Sequence, residues 1–233
     1  MSNRNIVLNI PHSSISGIFD AEVGKWQRNP HFINECVNRW TDWWTDMLFC
    51  VRMENVDSVV FPYSRFVCDV ERLKGDPLES IGQGIIYTNF NRYKRGKIDE
   101  ETNNELISLW ERHQTKLSSF LNENSVLIDC HSFPGDMADV DICIGFNDDW
   151  SYDEKLVAEI IKIFKTNGYS IGINNPYSNS ITPTTEARYA SLMIEVNKRV
   201  YMNEKLLLLN RNHRQWMRWY GCLKRVYEHI LVS

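Results

Sequence analysis

The sequence predicts an α/β protein in which helices cover a mostly parallel sheet. Short apolar runs bounded by turn residues alternate with longer amphipathic segments, which is the pattern of strands connected by helices. The 233 residues have a mass of 27.4 kDa, which is enough for one compact domain with a sizeable core. Because no repeat or shift in composition marks a boundary, we expect a single domain over residues 1–233.

The strands are predicted from apolar runs that end at turn residues. They cover residues 5–10, 58–61, 65–71, 126–130, 139–144, 169–173 and 191–197. Helical spacing of apolar residues predicts helices over 30–51, 99–122, 152–165 and 204–231. Ser151 and Glu154 form a capping box, and Asn203 is expected to cap the last helix. The aperiodic stretches 73–97 and 174–188 are expected to be long loops that cover a substrate.

Charge and composition exclude several classes of function. The net charge is −4, and lysine and arginine are spread along the chain, so no nucleic-acid or membrane partner is expected. A small-molecule partner suits this composition better. The six cysteines form no CxxC pair and are expected to be reduced core residues. Because no signal peptide or membrane helix is recognisable, we expect a cytoplasmic protein. The sequence leaves the oligomeric state open.

Polar residues follow or interrupt several predicted strands. His12 follows the first strand, His131 ends the middle strand, Asp69 and Arg72 lie in SRFVCDVER, and Glu195 lies in SLMIEVNKR. In an open parallel sheet the site lies beyond the carboxyl ends of the strands, so these side chains are expected to converge. Histidines, acids and arginines together suit a metal and an anionic substrate.

Each of these residues also has a structural interpretation. An isolated histidine such as His12 is more often a satisfied loop residue than a ligand. For His131 we favour function, because neighbouring polar groups such as Asp129 are costly to bury without partners. Glu195 enters an otherwise apolar strand, where an ion pair with Arg199 is the structural alternative to a catalytic base.

The acidic residue that would complete a metal site is harder to predict. In the predicted helix over 30–51, Asp42 and Asp46 are four residues apart and share one side. The buried face is expected to carry the apolar stripe Ile33, Val37, Trp40, Trp44 and Val51. A solvated face is therefore the structural interpretation of both aspartates. The other four histidines lie on or beside helices and are assigned no role.

Six short motifs follow one another between residue 11 and residue 202: PHSS, TDWWTDML, SRFVCDVER, DCHSF, NNPYS and IEVNKRVYM. Taken in order, they resemble the N-formylglutamate amidohydrolase family. The family is similar in fold to zinc carboxypeptidases and succinylglutamate desuccinylases. The resemblance implies a three-layer α/β/α hydrolase with a mostly parallel, mixed sheet and one Zn²⁺. The implied reaction is hydrolysis of a small amide that bears a carboxylate, such as N-formylglutamate.

The resemblance also implies roles for individual residues. His12 and His131 match presumptive zinc ligands. Asp42 matches the family's helix aspartate and is the expected third ligand, with Asp46 in reserve. Zinc-activated water would then attack the amide. Asp129 is expected to accept a hydrogen bond from a ring nitrogen or a loop amide.

The remaining matches concern catalysis and substrate binding. Glu195 is expected to act as the general base and to return the proton to the leaving nitrogen. Arg65 is expected to stabilise the oxyanion together with zinc, and Arg72 to hold a substrate carboxylate. Glu71 replaces the asparagine that is usual before this arginine. The loop over the pocket is matched by Asn174, Pro176, Tyr177 and Ser178.

Two alternatives differ from this interpretation. One is a degenerate member that binds a small anion or peptide without turnover. The other keeps the metal but acts as a carboxypeptidase-like enzyme or a cell-wall peptide amidase. A nucleotide-binding protein is set aside, because neither GxGxxG nor GxxxxGK[ST] follows any predicted strand.

Overall fold

A six-stranded sheet forms the centre of the protein. The structure is a computed structural model and describes residues 4–18, 26, 30–210 and 212–233. In chain order the strands are β1 (Asn5–Ile10), β2 (Val56–Val60), β3 (Ser125–Phe133), β4 (Ile142–Gly145), β5 (Ile171–Ile173) and β6 (Ala190–Asn197). Their order across the sheet is β2-β1-β3-β6-β4-β5. All neighbours are parallel except β4 and β6, so the predicted mixed and mostly parallel sheet is confirmed.

Helices cover both faces of this sheet. The first helix, α1, consists of Pro30–Phe32, a π-helical turn Ile33–Val37, and Asn38–Trp40. The others are α2 (Thr45–Leu48), α3 (Glu100–Ser118), α4 (Glu154–Thr166) and α5 (His213–Val232). Two further pairs of short antiparallel strands are Asn89–Phe90 with Tyr93–Lys94 and Met202–Asn203 with Leu208–Leu209.

The alternation of side chains along the strands produces three layers. In β1, Ile6 and Leu8 belong to the large core cluster that contains the buried residues of α4 and α5. Val7 belongs to a second cluster on the other face, together with Leu117 at the end of α3. Successive strand residues point to opposite faces, and both faces are covered, which is why residues 6–8 of β1 form a continuous apolar run. The expected α/β/α arrangement is confirmed.

The predicted strand over 65–71 is wrong, because this segment forms turns. Ser64 accepts a hydrogen bond from the backbone of Val67 at 2.9 Å, and the Ser64 hydroxyl accepts one from Phe66 at 3.2 Å. The Asp69 carboxylate accepts one from the backbone of Glu71 at 3.0 Å. Such local bonds between side chains and backbone compete with a strand ladder.

Two predicted helix starts also need correction. Helix α5 begins at residue 213 rather than 204, because Asn212 caps it by accepting from the backbone of Arg214 at 3.1 Å. Asn203, the expected cap, lies in a short strand instead. The cap of α4 is Asp153, whose carboxylate accepts from Leu156 at 3.0 Å.

All six cysteines are free, and five are buried, whereas Cys50 is exposed. In the part of the chain that the structure describes, no helix has both the length and the apolarity needed to cross a membrane.

Candidate metal centre and active site

Several chain segments bring the predicted site residues to one edge of the sheet. His12 follows β1 by two residues, and His131 lies in the last third of β3. Glu195 is the register partner of His131 in the neighbouring strand β6, so both side chains point to the same face. Asp42 follows α1, and Glu71 lies in the turns after β2.

The end of α1 directs the Asp42 side chain towards the protein interior. The helix stops at Trp40, because Thr41 adopts an extended conformation with ψ of 132°. The backbone N–H of Asp42 then donates to the carbonyl oxygen of His12 at 3.0 Å. Lys198 donates a hydrogen bond from Nζ to the carbonyl oxygen of Arg39 at 2.5 Å. This bond pairs one of the carbonyl groups that the end of α1 leaves without a partner in the helix.

This geometry overturns the helical-wheel argument for the two aspartates. Asp42 is only 3% exposed, whereas Asp46 is exposed and lies in α2. The predicted helix over 30–51 is interrupted between residues 41 and 44, where Trp44 has a φ of 66°. The interruption places the two residues on different sides, so they share no solvated face.

Two imidazole rings face the Asp42 carboxylate. The Nδ1 atom of His131 lies 3.0 Å from Asp42 Oδ2, and the Nδ1 atom of His12 lies 3.7 Å from the same oxygen. The ring centroids are 5.2 Å apart. Each Nε2 atom contacts a different buried carboxylate. His12 Nε2 lies 2.7 Å from Asp69 Oδ1, and His131 Nε2 lies 3.0 Å from Asp129 Oδ1. Carboxylates in these positions orient imidazoles for ligation.

Glu71 is a second carboxylate within reach of both rings. Its Oε1 lies 3.6 Å from His131 Nε2, and its Oε2 lies 3.8 Å from His12 Nε2. His12, Glu71 and His131 offer ligand atoms that all lie within 4.8 Å of one another, so they form a candidate metal site. In the sequence, Glu71 stands out only as a departure from the family motif. Glu71 lies two positions after Asp69 in the sequence, and this short spacing is the signal that could have placed both acids in one site.

The charges of this cluster are strongly interdependent. Burial alone would raise the pKa of Asp42, but the two neighbouring imidazoles outweigh burial and lower it. Burial lowers the pKa of His131, but Asp129 and Glu71 outweigh it and hold this pKa well above its ordinary value. Removing one partner would therefore leave a buried charge without compensation.

Several buried atoms of the site make no hydrogen bond within the described residues. They include His12 Nδ1, Glu195 Oε2 and His131 Nε2, whose 3.0 Å contact with Asp129 is an ion-pair contact and not a hydrogen bond. Buried polar atoms are normally paired, so unpaired ones at a single site indicate a missing ion or ligand. Two imidazoles and a carboxylate are also a typical donor set for catalytic zinc. The residues present thus fit a metal ion.

Glu195 is a buried carboxylate that forms no ion pair with a lysine or arginine among the described residues. It is 7% exposed, and burial raises its pKa to about 8, with Asp42 contributing in the same direction and His131 opposing. Arg199, the suggested ion-pair partner, contacts Asp139 at 3.0 Å instead. The ion pair between Glu195 and Arg199, which was the structural alternative to a catalytic base, is therefore not formed.

The two predicted arginines form an ion-pair network beside the imidazoles. Arg65 donates from Nη2 to Asp69 Oδ2 at 3.0 Å and to the Tyr87 hydroxyl at 3.2 Å. Tyr87 also donates to Asp69. Arg72 lies with Nη1 3.4 Å from Glu71 Oε2. Asp69 therefore links His12 to the arginines.

A cavity of about 770 Å³ opens onto these groups. Asp42, Arg65, Glu71, Arg72, His131 and Glu195 all contribute to its wall. Parts of both predicted loops border it, including Tyr177 and Ser178. Asn174, which was expected in the substrate loop, is not among the lining residues. Its side chain accepts a hydrogen bond from the backbone of Phe146 at 3.0 Å and shapes the turn after β5.

The comparisons with known proteins agree with this architecture. Residues 4–202 match the sequence profile of the N-formylglutamate amidohydrolase family, and the chain belongs to this family of amide hydrolases. The fold is similar to the N-formylglutamate amidohydrolase from Ralstonia eutropha JMP134, with a TM-score of 0.78 and 16% identity over 99% of this chain and 95% of that one. It is also similar to gene product Atu2144 from Agrobacterium tumefaciens, with a TM-score of 0.64 and 16% identity over 100% and 90% of the chains. No curated protein matches in sequence.

Proposed function

We propose that this protein is a zinc-dependent hydrolase that cleaves the amide bond of a small N-acyl amino acid such as N-formylglutamate. The observation that carries the proposal is the pair of buried imidazoles, His12 and His131, which face carboxylates and share one site with Glu195. Membership of the amidohydrolase family supports the reaction type. The products would be the free amino acid and the corresponding acid.

His12 and His131 would hold the metal together with a carboxylate. Asp42 is our choice for that carboxylate, because it is buried and directed at both Nδ1 atoms, while the Nε2 atoms face Asp69 and Asp129. Glu71 is the other carboxylate within reach. When bound, zinc supplies Lewis acidity and lowers the pKa of a coordinated water.

Glu195 would act as the proton carrier. Its buried Oε2 has no other hydrogen-bond partner within the described part of the chain, so it can accept a proton from the attacking water and deliver it to the leaving nitrogen. Arg65 would stabilise the oxyanion, because its buried Nε likewise lacks a partner there. Arg72 would bind the substrate carboxylate, and Tyr177 and Ser178 would border the bound molecule.

The test combines metal analysis with a direct assay of hydrolysis. Purified protein is expected to contain zinc by elemental analysis and to release formate and glutamate from N-formyl-L-glutamate. His131→Ala is expected to lose the metal. A folded protein that binds neither zinc nor N-formylglutamate would contradict the proposal, and binding without turnover would favour a degenerate member of the family.

The role of Glu195 has its own test. Glu195→Gln keeps the shape of the side chain but cannot accept the proton, so turnover should fall by about 10²–10⁴-fold while zinc content is unchanged. Glu123→Gln, an exposed change outside the site, is the matched control. Near-normal turnover of Glu195→Gln would show that another group is the base.

A further inference from the structure

Glu71 lies between the imidazoles and the arginines of the site. Its Oε2 is 3.4 Å from Arg72 Nη1 and 3.7 Å from Arg65 Nη2, while its Oε1 is 3.6 Å from His131 Nε2. Each distance is longer than the ~2.8 Å of a strong charge-assisted hydrogen bond. The carboxylate is therefore attracted from two sides without being fixed by either.

Asp69 shows what a fixed carboxylate looks like in the same segment. Its side chain is fully buried and has close contacts with His12 at 2.7 Å and with Arg65 at 3.0 Å, besides a hydrogen bond from Tyr87. The Glu71 side chain is 20% exposed and belongs to a turn. Of the two acids, Glu71 is the one that can change partners.

Arg72 depends on Glu71 for its charge partner. Among the described residues, the nearest carboxylate oxygen is Glu71 Oε2 at 3.4 Å, and the next is Asp69 Oδ2 at 3.9 Å. Its Nε is buried and has no hydrogen-bond partner within residues 4–18, 26, 30–210 and 212–233. A second carboxylate on Arg72 would lie close to the negative charge of Glu71, which is 3.4 Å from Nη1, so Glu71 and a bound carboxylate compete for this arginine.

We infer that Glu71 couples metal binding to the binding of a substrate carboxylate. Without metal, Glu71 stays on the arginines and competes with the substrate. With metal held by His12, His131 and Asp42, the added positive charge at the imidazoles attracts Glu71 towards them and away from Arg72. The inference rests on the proposed function, since it uses the same metal site and the same arginine. Because coupling between two ligands is reciprocal, each should tighten the binding of the other by the same factor.

Calorimetric titration with Zn²⁺ and with succinate, a dicarboxylate that cannot be hydrolysed, tests this coupling. In the wild-type protein, saturating Zn²⁺ should tighten succinate binding by about fivefold or more. Glu71→Gln has the same size without the charge. It should tighten succinate binding to the metal-free protein, weaken Zn²⁺ binding and reduce the coupling. Glu123→Gln is exposed and should leave all three quantities unchanged.

The test is decisive because Glu71→Gln is expected to tighten succinate binding but to weaken Zn²⁺ binding. A merely structural role of Glu71 would weaken both ligands, and that result, or unchanged affinities, would overturn the inference. A second variant, Arg72→Gln, should tighten Zn²⁺ binding, because Glu71 loses its competing partner; weaker or unchanged Zn²⁺ binding would contradict it. If the wild type binds Zn²⁺ and hydrolyses N-formylglutamate but Glu71→Gln behaves like wild type, only the coupling fails. If the wild type binds no Zn²⁺, both proposals fail.

Discussion

His113 makes the stability of the protein depend on pH through a buried network behind the site. Its Nε2 lies 2.9 Å from Asn9 Oδ1, and Asn9 in turn donates to Asp129 Oδ1 at 2.8 Å. Since an amide oxygen only accepts, the imidazole must donate from Nε2. The ring is 5% exposed and packs edge-on against Phe61 at 5.5 Å. A second proton on this ring would be buried in apolar surroundings.

The direction and the magnitude follow from the pKa. Burial lowers the pKa of His113 from 6.5 to about 4. The unfolded chain therefore binds a proton at a pH where the folded protein does not, so stability is fully present above pH 6.5 and is lost as the pH falls towards 4. The full contribution is about 3 kcal/mol, and about 2 kcal/mol of it should disappear between pH 7.5 and pH 5.

Urea unfolding of the metal-free protein at these two pH values measures the effect. His113→Gln can still donate to Asn9 but cannot be protonated, so its free energy of unfolding should fall less than that of the wild type by about 2 kcal/mol. His213→Gln, in an exposed position at the start of α5, should keep the wild-type pH dependence. Parallel pH profiles of wild type and His113→Gln would refute the reasoning.

Two further predictions concern the support of the proposed metal site. Asp69→Asn removes the carboxylate that contacts His12 at 2.7 Å, so Zn²⁺ affinity should fall by about 10–100-fold in a calorimetric titration, and unchanged affinity would contradict this orienting role. Lys198→Met leaves the carbonyl oxygen of Arg39 without its donor, so the melting temperature should fall and Zn²⁺ should bind more weakly if Asp42 is a ligand. A variant with a lower melting temperature but normal Zn²⁺ affinity would argue against Asp42 as a metal ligand.

Strands could be predicted from the sequence wherever both faces of the sheet are covered. The first strand is found at its predicted bounds, residues 5–10, where burial on both faces accounts for the apolar run over residues 6–8. The segment 65–71 also contains a short apolar run, residues 66–68, but forms turns. There the polar side chains of Ser64 and Asp69 satisfy backbone groups locally, and an apolar run alone does not reveal that competition.

The histidines of the site could be located because a strand end is a local feature. His12 and His131 follow or end predicted strands, and parallel pairing through β1 and β3 brings such ends together. Glu71 is different, because its proximity to both rings depends on the turns that replace the predicted strand. Its contacts with residues up to 60 positions away are set by tertiary structure.

Asp42 shows how a local pattern and a tertiary contact can disagree within one segment. The helical spacing of 30–51 places it opposite the apolar stripe. The helix nevertheless ends at Trp40, because the backbone of Asp42 bonds to His12 and the last carbonyls are satisfied from Lys198, partners 30 and 159 positions away in sequence. A helix boundary set by such distant partners cannot be read from periodicity, which explains why the family motif, and not the helical wheel, was the better guide to a buried position for this aspartate.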